Sequence, residues 1–269
     1  GLGDVYKRQI NSDAEVVNKL GSNAMGNYLY VYKGVYATDE DVPVNPLTGE
    51  RLRMGGNTST QAYFKAGDPI WVDVNGDYII DEKDKVIVGN SQPRMTGGIS
   101  INLRYKAFSI NTNCSFTLRR DIINKALADR FRAYGTPVAG KVNLTGSGAL
   151  TPIEAYNFWT EDNIYAQYPN PFDYTRSSII QPFRYDQTLF MEDGSYFKIN
   201  GISVAYTIPK KMLDFFRISR CQLNFSMNNI YTFSKYSGIN PENVNNLGYD
   251  TSGGYPNGRT VTFGVSMDF

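Results

Sequence analysis

The stretch from Gly97 to Leu118, GGISINLRYKAFSINTNCSFTL, constrains the fold of this chain more than any other. Apolar side chains fall at Ile99, Ile101, Leu103 and Tyr105, with Ser100, Asn102 and Arg104 between them. After Lys106-Ala107 the pattern resumes, and Phe108, Ile110, Cys114 and Phe116 alternate with Ser109, Asn111, Asn113 and Ser115. A period of two predicts two strands joined by a short turn. One face is apolar and the other carries small hydroxyls and amides. A soluble sandwich tolerates this pattern. A transmembrane β-barrel requires it, with lipid on one side and a wet lumen on the other.

The same alternation recurs downstream. Gly194–Thr207 reads as a strand whose phase shifts near Gly201, the mark of a bulge. From Ser219 to Ile230, Cys221, Leu223, Phe225 and Met227 face one way and Gln222, Asn224, Ser226 and Asn228 the other. The last strand, Arg259–Phe269, aligns Val261, Phe263, Val265, Met267 and Phe269. Asn27–Tyr36 is read as a further strand, and Ile122–Tyr134 as a short helix. Short turns near Lys106 and Lys210 alternate with long connections at 37–96, 119–189 and 231–258, as in outer-membrane barrels with short periplasmic turns and long extracellular loops. On this scheme Phe269 lies at the periplasmic side. The aromatic share of 14% suits strands and interfacial girdles alike. No run of about 18 apolar residues predicts a transmembrane helix.

The chemistry available is limited. There is no histidine, so a Ser-His-Asp or Cys-His site and an ordinary catalytic zinc centre are excluded. No carboxylate spacing marks a glycosidase pair, and no enzyme activity is expected. The net charge of +1 gives no nucleic-acid footprint. Cys114 and Cys221 sit on apolar strand faces with the 194–207 strand between them, about 9–10 Å apart, too far for a disulfide.

Two stretches carry candidate sites. In DVNGDYIIDEKD, oxygen donors from Asp73, Asn75, Asp77, Asp81 and Asp84, with the Ile79 carbonyl, follow the spacing of a calcium loop. Tyr78 stands where the sharp turn of such a loop wants glycine, and Asp84 is shorter than the usual glutamate. The alternative is a rigid acidic turn held by Asx hydrogen bonds. The connection 119–189 is rich in aromatics, of which Trp159, Tyr165 and Tyr168 are candidate ligand contacts; the alternative is that they pack the loop.

In order and spacing, these pieces resemble the C-terminal part of SusC/RagA-type TonB-dependent outer-membrane transporters. Gly67-Asp68 leads into DVNGDYIIDEKD, followed by Val88-Gly89, Pro93 and the GGISINLRYKAFSI hairpin. FWTEDN, YPNP, DGSYFKINGISVAYTIPKKM, NNIYTFSKYSGINPE and the Gly-Tyr-Pro at 254–256 complete the series. The resemblance covers roughly Gly26–Phe269. It implies an all-β, antiparallel up-and-down transmembrane β-barrel, of which this chain supplies the C-terminal fragment, about six strands of a plugged barrel of about 22 strands. It implies import of oligosaccharides or peptides across the outer membrane of a Gram-negative bacterium, TonB acting through a missing N-terminal part, and a SusD-like lipoprotein lid. It also implies that Phe269 is read by the barrel-assembly machinery. The first nine residues, GLGDVYKRQ, lack an apolar leader core and resemble a translated sequencing adapter, so 10–269 is taken as the native part of one barrel domain. The alternatives are a secreted calcium-dependent carbohydrate-binding β-sandwich and a siderophore or vitamin receptor of the wider TonB-dependent class.

Overall fold

The structure is a computed structural model that describes residues 26–55, 62–134, 137–138, 141–142, 155–176, 178–213, 218–245, 247–250 and 257–268. The leader, the 254–256 segment and Phe269 lie outside these residues. Along the chain, β1 (Asn27–Tyr30), β2 (Tyr32–Val35), β3 (Arg53–Met54), β4 (Pro69–Trp71), β5 (Ile79–Ile80) and β6 (Lys85–Val88) are short, whereas β7 (Met95–Tyr105) and β8 (Phe108–Leu118) are long. Then come β9 (Asp121–Ile123), α1 (Lys125–Tyr134), β10 (Pro137–Val138), β11 (Lys141–Val142) and β12 (Met191–Asp193). The chain ends with β13 (Tyr196–Thr207), α2 (Lys210–Leu213), β14 (Arg220–Ser234) and β15 (Thr260–Asp268). Two compact units result. One gathers residues from Gly1–Gln92, Asp121–Glu192 and Asn243–Gly253, and the other Pro93–Arg120, Asp193–Glu242 and Gly254–Phe269.

The second unit is one antiparallel sheet in the order β7-β8-β13-β14-β15. Its strands run from 9 to 15 residues, against a usual length of about 5–6 in globular proteins. The register stacks apolar side chains in rows across the sheet. Tyr105, Phe108, Tyr206, Leu223 and Val265 form one row, and Leu103, Ile110, Val204, Phe225 and Phe263 the next. This face is open: Leu103 and Phe263 are 59% and 68% exposed. On the opposite face polar side chains bond across the strands. Ser100 Oγ donates to Asn113 Oδ1 at 2.8 Å, Asn111 donates to Asn102, and Ser115 Oγ donates to Asn200 Oδ1 at 3.2 Å.

The phase shift expected near Gly201 is a bulge. Ile199 pairs with Cys114, but Gly201 pairs with Asn113, so Asn200 is one residue too many against β8. The apolar set therefore moves from Phe197 and Ile199 to Ile202, Val204 and Tyr206. On the other side β14 carries its own extra residue, since Ile199 faces Tyr231 and Gly201 faces Asn228. Asn229, at φ 53°, absorbs it in the left-handed region that asparagine tolerates. Near the far end of β7, Gly97 lies under the Phe116 ring, and a Cβ built there would come within 2.6 Å of the ring. The two cysteines are free, on strands that β13 separates.

The first unit differs from expectation in two places. Asn27–Tyr36 is not a sixth strand of the long sheet. It breaks at Val31, β1 pairing with β6 and β2 with β4, because Asn27, Leu29 and Tyr30 are all buried and leave no face for solvent or lipid. The helix read over Ile122–Tyr134 begins only at Lys125, after the β9 bridge; Asn124 Oδ1 caps it by accepting from the Leu127 N–H at 3.0 Å. Leu127, Ala128 and Phe131 then fall on one buried stripe.

The unit has its own cores. In one, Tyr30 stacks on Trp71 with ring centroids 5.1 Å apart, while Phe64 meets Trp71 edge-on. Trp71 Nε1 donates to the buried Gln187 side chain at 2.8 Å. The Lys85 ammonium and the Arg184 guanidinium sit 5.0 and 4.7 Å from the Tyr30 ring centroid. Both cations converge on buried Asp186, Lys85 at 2.7 Å and Arg184 through two hydrogen bonds. A second buried pair joins Arg176 Nε to Asp68 Oδ1 at 3.0 Å.

Burial alone would raise the Asp186 pKa, but the Arg184 hydrogen bonds and charge, with Lys85, outweigh it and hold the carboxyl at about 2. An unfolded aspartate titrates near ~4. The stabilisation is therefore complete above about pH 4 and disappears as the pH falls toward 2. Thermal unfolding of the full-length protein should lose about 2 kcal/mol across that interval. Asp186→Asn should remove this part of the acid dependence; an unchanged profile between pH 2 and 5 in the variant would show that Asp186 does not carry it.

Candidate functional site

The Asp73–Asp84 segment folds as a tight turn leading into β5 and a short 3₁₀ turn over Glu82–Asp84. Its carboxylates are engaged by the backbone. Asp73 accepts from the N–H groups of Gly76 (2.7 Å) and Tyr78 (2.8 Å), one on each oxygen. Asp77 accepts from the Ile79 N–H at 2.9 Å and, on its other oxygen, from the Asn75 amide at 2.9 Å. Buried Asp84 accepts from Val74 and Asp81, and Asp81 from Lys83. Asn75 itself accepts from the Asp77 N–H at 3.0 Å. The donor set is all oxygen, which suits a hard cation. Among the described residues, however, no three or more His, Cys, Asp or Glu side chains converge closely enough to hold one. What the geometry supports is the Asx-held turn. Tyr78 has φ 61°, so the position that asks for glycine does adopt the left-handed conformation, and the ring compensates by packing against the Tyr30–Trp71 core.

The three aromatic candidates separate. Trp159 is buried, donates through Nε1 to the Ala37 carbonyl at 3.3 Å, and lies on Gly67, where a Cβ would come within 2.9 Å of the indole. Gly67 holds φ 84°, so this approach is written into the backbone as well. Tyr168 is half-buried in a ring cluster whose hub is Phe131; the Tyr168, Phe158 and Tyr156 centroids lie 5.0, 4.9 and 4.8 Å from it. Tyr165 is 84% exposed and is free to meet a ligand.

In the sheet unit there is a cavity of about 250 Å³ that the sequence reading did not name. Lys198, Asn229, Tyr231, Glu242, Asn257 and Arg259 contribute to its lining. Lys198 forms an ion pair with Glu242, and Arg120 donates to the Pro241 carbonyl, so the 239–242 loop is pinned at its charged end. Asn229 Nδ2 donates to the Gly258 carbonyl at 3.1 Å. β15 pairs with β14 only as far as Asn228–Thr260, which leaves the space beyond it open. The signal available in the sequence was the bulge near Gly201, which offsets the strands at this level.

Two tests follow from these geometries. Tyr78→Val should destabilise the protein by about 2 kcal/mol, because a β-branched residue is strained at positive φ. Tyr78→Gly should stay within about 1 kcal/mol of the parent, and EDTA should leave its melting temperature unchanged; a rise of several degrees on adding calcium would restore the metal reading. Trp159→Ala should cost about 3–5 kcal/mol. Tyr165→Ala should alter stability by less than about 0.5 kcal/mol, so any effect it has on ligand binding is direct; a large loss of stability in that variant would refute its placement.

No family model matches the sequence. The chain is 28% identical to TonB-dependent receptor P3 of Formosa agariphila over 257 residues, covering 90% of this chain and 22% of that protein. It is 23% identical to TonB-dependent receptor SusC of Bacteroides thetaiotaomicron over 270 residues, covering 93% of this chain and 24% of that one. The chain thus spans about a quarter or less of the curated relatives it matches. Among solved structures, the RagAB peptide transporter shares the fold over 91% of this chain and 22% of its own, with a TM-score of 0.62 at 18% identity. The relatives and the all-β architecture agree, and together they support a fragment of a SusC/RagA-type TonB-dependent receptor.

Proposed function

We propose that this chain is one arc of an outer-membrane importer, with the β7-β8-β13-β14-β15 sheet embedded in lipid as part of a larger barrel. The observation that carries the reading is the two-faced sheet. Its strands reach the roughly 9–11 residues that a bilayer demands. One face is apolar and open to the surroundings, and the other is knitted together by amide and hydroxyl pairs. β7 and β15 each pair on one side only, as strands within a larger barrel would before their neighbours are added. A secreted sandwich would bury the apolar face against a second sheet, and the described residues of this unit form one sheet.

The cargo is an oligosaccharide or a peptide. The RagAB neighbour is titled a peptide transporter, which supports the peptide half of this pair. A SusD-like lipoprotein covers the extracellular mouth, TonB acts through the rest of the protein, and the barrel-assembly machinery reads Phe269. The work is conformational, and no bond of the cargo is made or broken. A calcium ion would be held by the oxygens of the Asp73–Asp84 turn and would stiffen it.

The full-length gene, recovered from the source DNA with its neighbours, should be expressed in a Gram-negative host. The protein is expected in the outer-membrane fraction, with a shift in gel migration on heating. It should take up labelled oligosaccharides or peptides only when TonB and the neighbouring lipoprotein are present. A soluble secreted product, or uptake indifferent to TonB, would refute the importer reading.

A further inference from the structure

The short-turn end of the sheet gathers exposed cations. Arg104, Lys106, Lys210, Lys211 and Arg220 all lie there and all are exposed. One described carboxylate accompanies them, Asp268, which sits opposite Arg220 in the register. Among the described residues the three lysines enter no ion pair, and the Lys106 ammonium instead sits 5.2 Å over the Tyr105 ring. At the far end Arg94, Arg119 and Lys235 are exposed as well, but Lys198 there is paired with Glu242 and Arg120 donates to the Pro241 carbonyl.

The lysines stand just beyond the aromatic row Tyr105, Phe108 and Tyr206, whose Phe108 and Tyr206 rings are 4.5 Å apart. From that row to the exposed Met95 the apolar face of β7 extends ten residues, roughly 33 Å along the strand at ~3.3 Å per residue, which at a barrel tilt of about 40° spans the height of an apolar band of about 25 Å. A side chain one residue past the band is at headgroup depth. The α2 turn adds an apolar foot. Leu213 is buried while neighbouring Met212 is 64% exposed, and the Met212 N–H closes the turn on the Pro209 carbonyl at 2.9 Å. Exposed cations beside aromatic and aliphatic side chains are the composition of a surface that rests on anionic lipid.

We propose that this end of the sheet binds the anionic headgroups of phospholipid through Lys106, Lys210 and Lys211. The proposal rests on the membrane-embedded reading given above. It assigns the lysines an electrostatic contact that fixes how deep the short turns sit.

The test uses the full-length protein reconstituted in bilayers, with spin-labelled phosphatidylglycerol and phosphatidylcholine as probes of the lipid shell. Phosphatidylglycerol should associate about five- to tenfold more strongly, and 0.5 M salt should reduce the preference toward one. The variant K106Q/K210Q/K211Q, with heat-dependent gel migration confirming its fold, should lose most of the preference. The salt titration of the unmodified protein gives a second readout that needs no variant. Equal association of the two lipids, or a preference unchanged in the variant, would overturn the proposal. So would abolition of the preference by 10 mM inorganic phosphate, which would make the cluster a site for free phosphate. Failure to enter either bilayer would instead overturn the membrane-embedded reading itself.

Discussion

Every other feature of the long sheet depends on register. Between lipid and a polar interior, a strand has no tolerance for a side chain that turns to the wrong face, and no water to satisfy a backbone group left unpaired. β13 meets this constraint at its most difficult point. Asn200 is an extra residue against β8, and the parity of the strand inverts across it. The inversion is matched by the sequence, which places apolar residues at odd positions before the bulge and at even positions after it. β14 answers with Asn229 in the left-handed region, and its own apolar face continues from Met227 to Tyr231 and Phe233. Three strands thus keep one continuous apolar surface around a local irregularity. The same irregularity lies beside the cavity that Lys198 and Asn229 help to line.

The long connections are held by a different kind of interaction. They carry compact cores of rings and charges. Phe131 gathers five aromatic neighbours, and Tyr30 is flanked by two cations that share one carboxylate. Burying Asp186 with Lys85 and Arg184 gives little net stability over an apolar packing of the same volume, but removing any one partner leaves a charge stranded. Such clusters fix shape. They explain how segments far longer than an ordinary hairpin loop hold a defined form.

The sheet was legible in the sequence because period-two alternation is a local signal, and five long strands repeat it. The phase shift at Gly201 was legible for the same reason. Asn27–Tyr36 misled because its tyrosines alternate just as well; only the pairing of β1 with β6, nearly 60 residues on in the chain, buries both of its faces. The acidic turn was read as a pair of alternatives, and Tyr78 was singled out, but the choice rests on which hydrogen-bond donors the carboxylates meet. Trp159 resembled an exposed ligand platform because nothing near it in sequence announces Gly67, on which it lies. Tyr165, six residues away, has the same local character and the opposite environment. Loop aromatics are sorted by distant partners, and a single sequence does not display them.

The bulge has a consequence for how such a chain changes length. A one-residue deletion at Asn200 would restore ordinary pairing with β8 and keep Phe197 and Ile199 on one face with Ile202, Val204 and Tyr206, because the remaining sequence alternates without a break. A one-residue insertion or deletion elsewhere in β13 would instead turn the residues on one side of it to the wrong face. Away from Asn200 the strand therefore accepts gains or losses only in twos, or singly when the alternation beyond the change is rewritten with it. The connections that follow β8 and β14 face no such arithmetic. Variation in length is channelled into the loops, and the sheet is left as the fixed ruler against which they diverge.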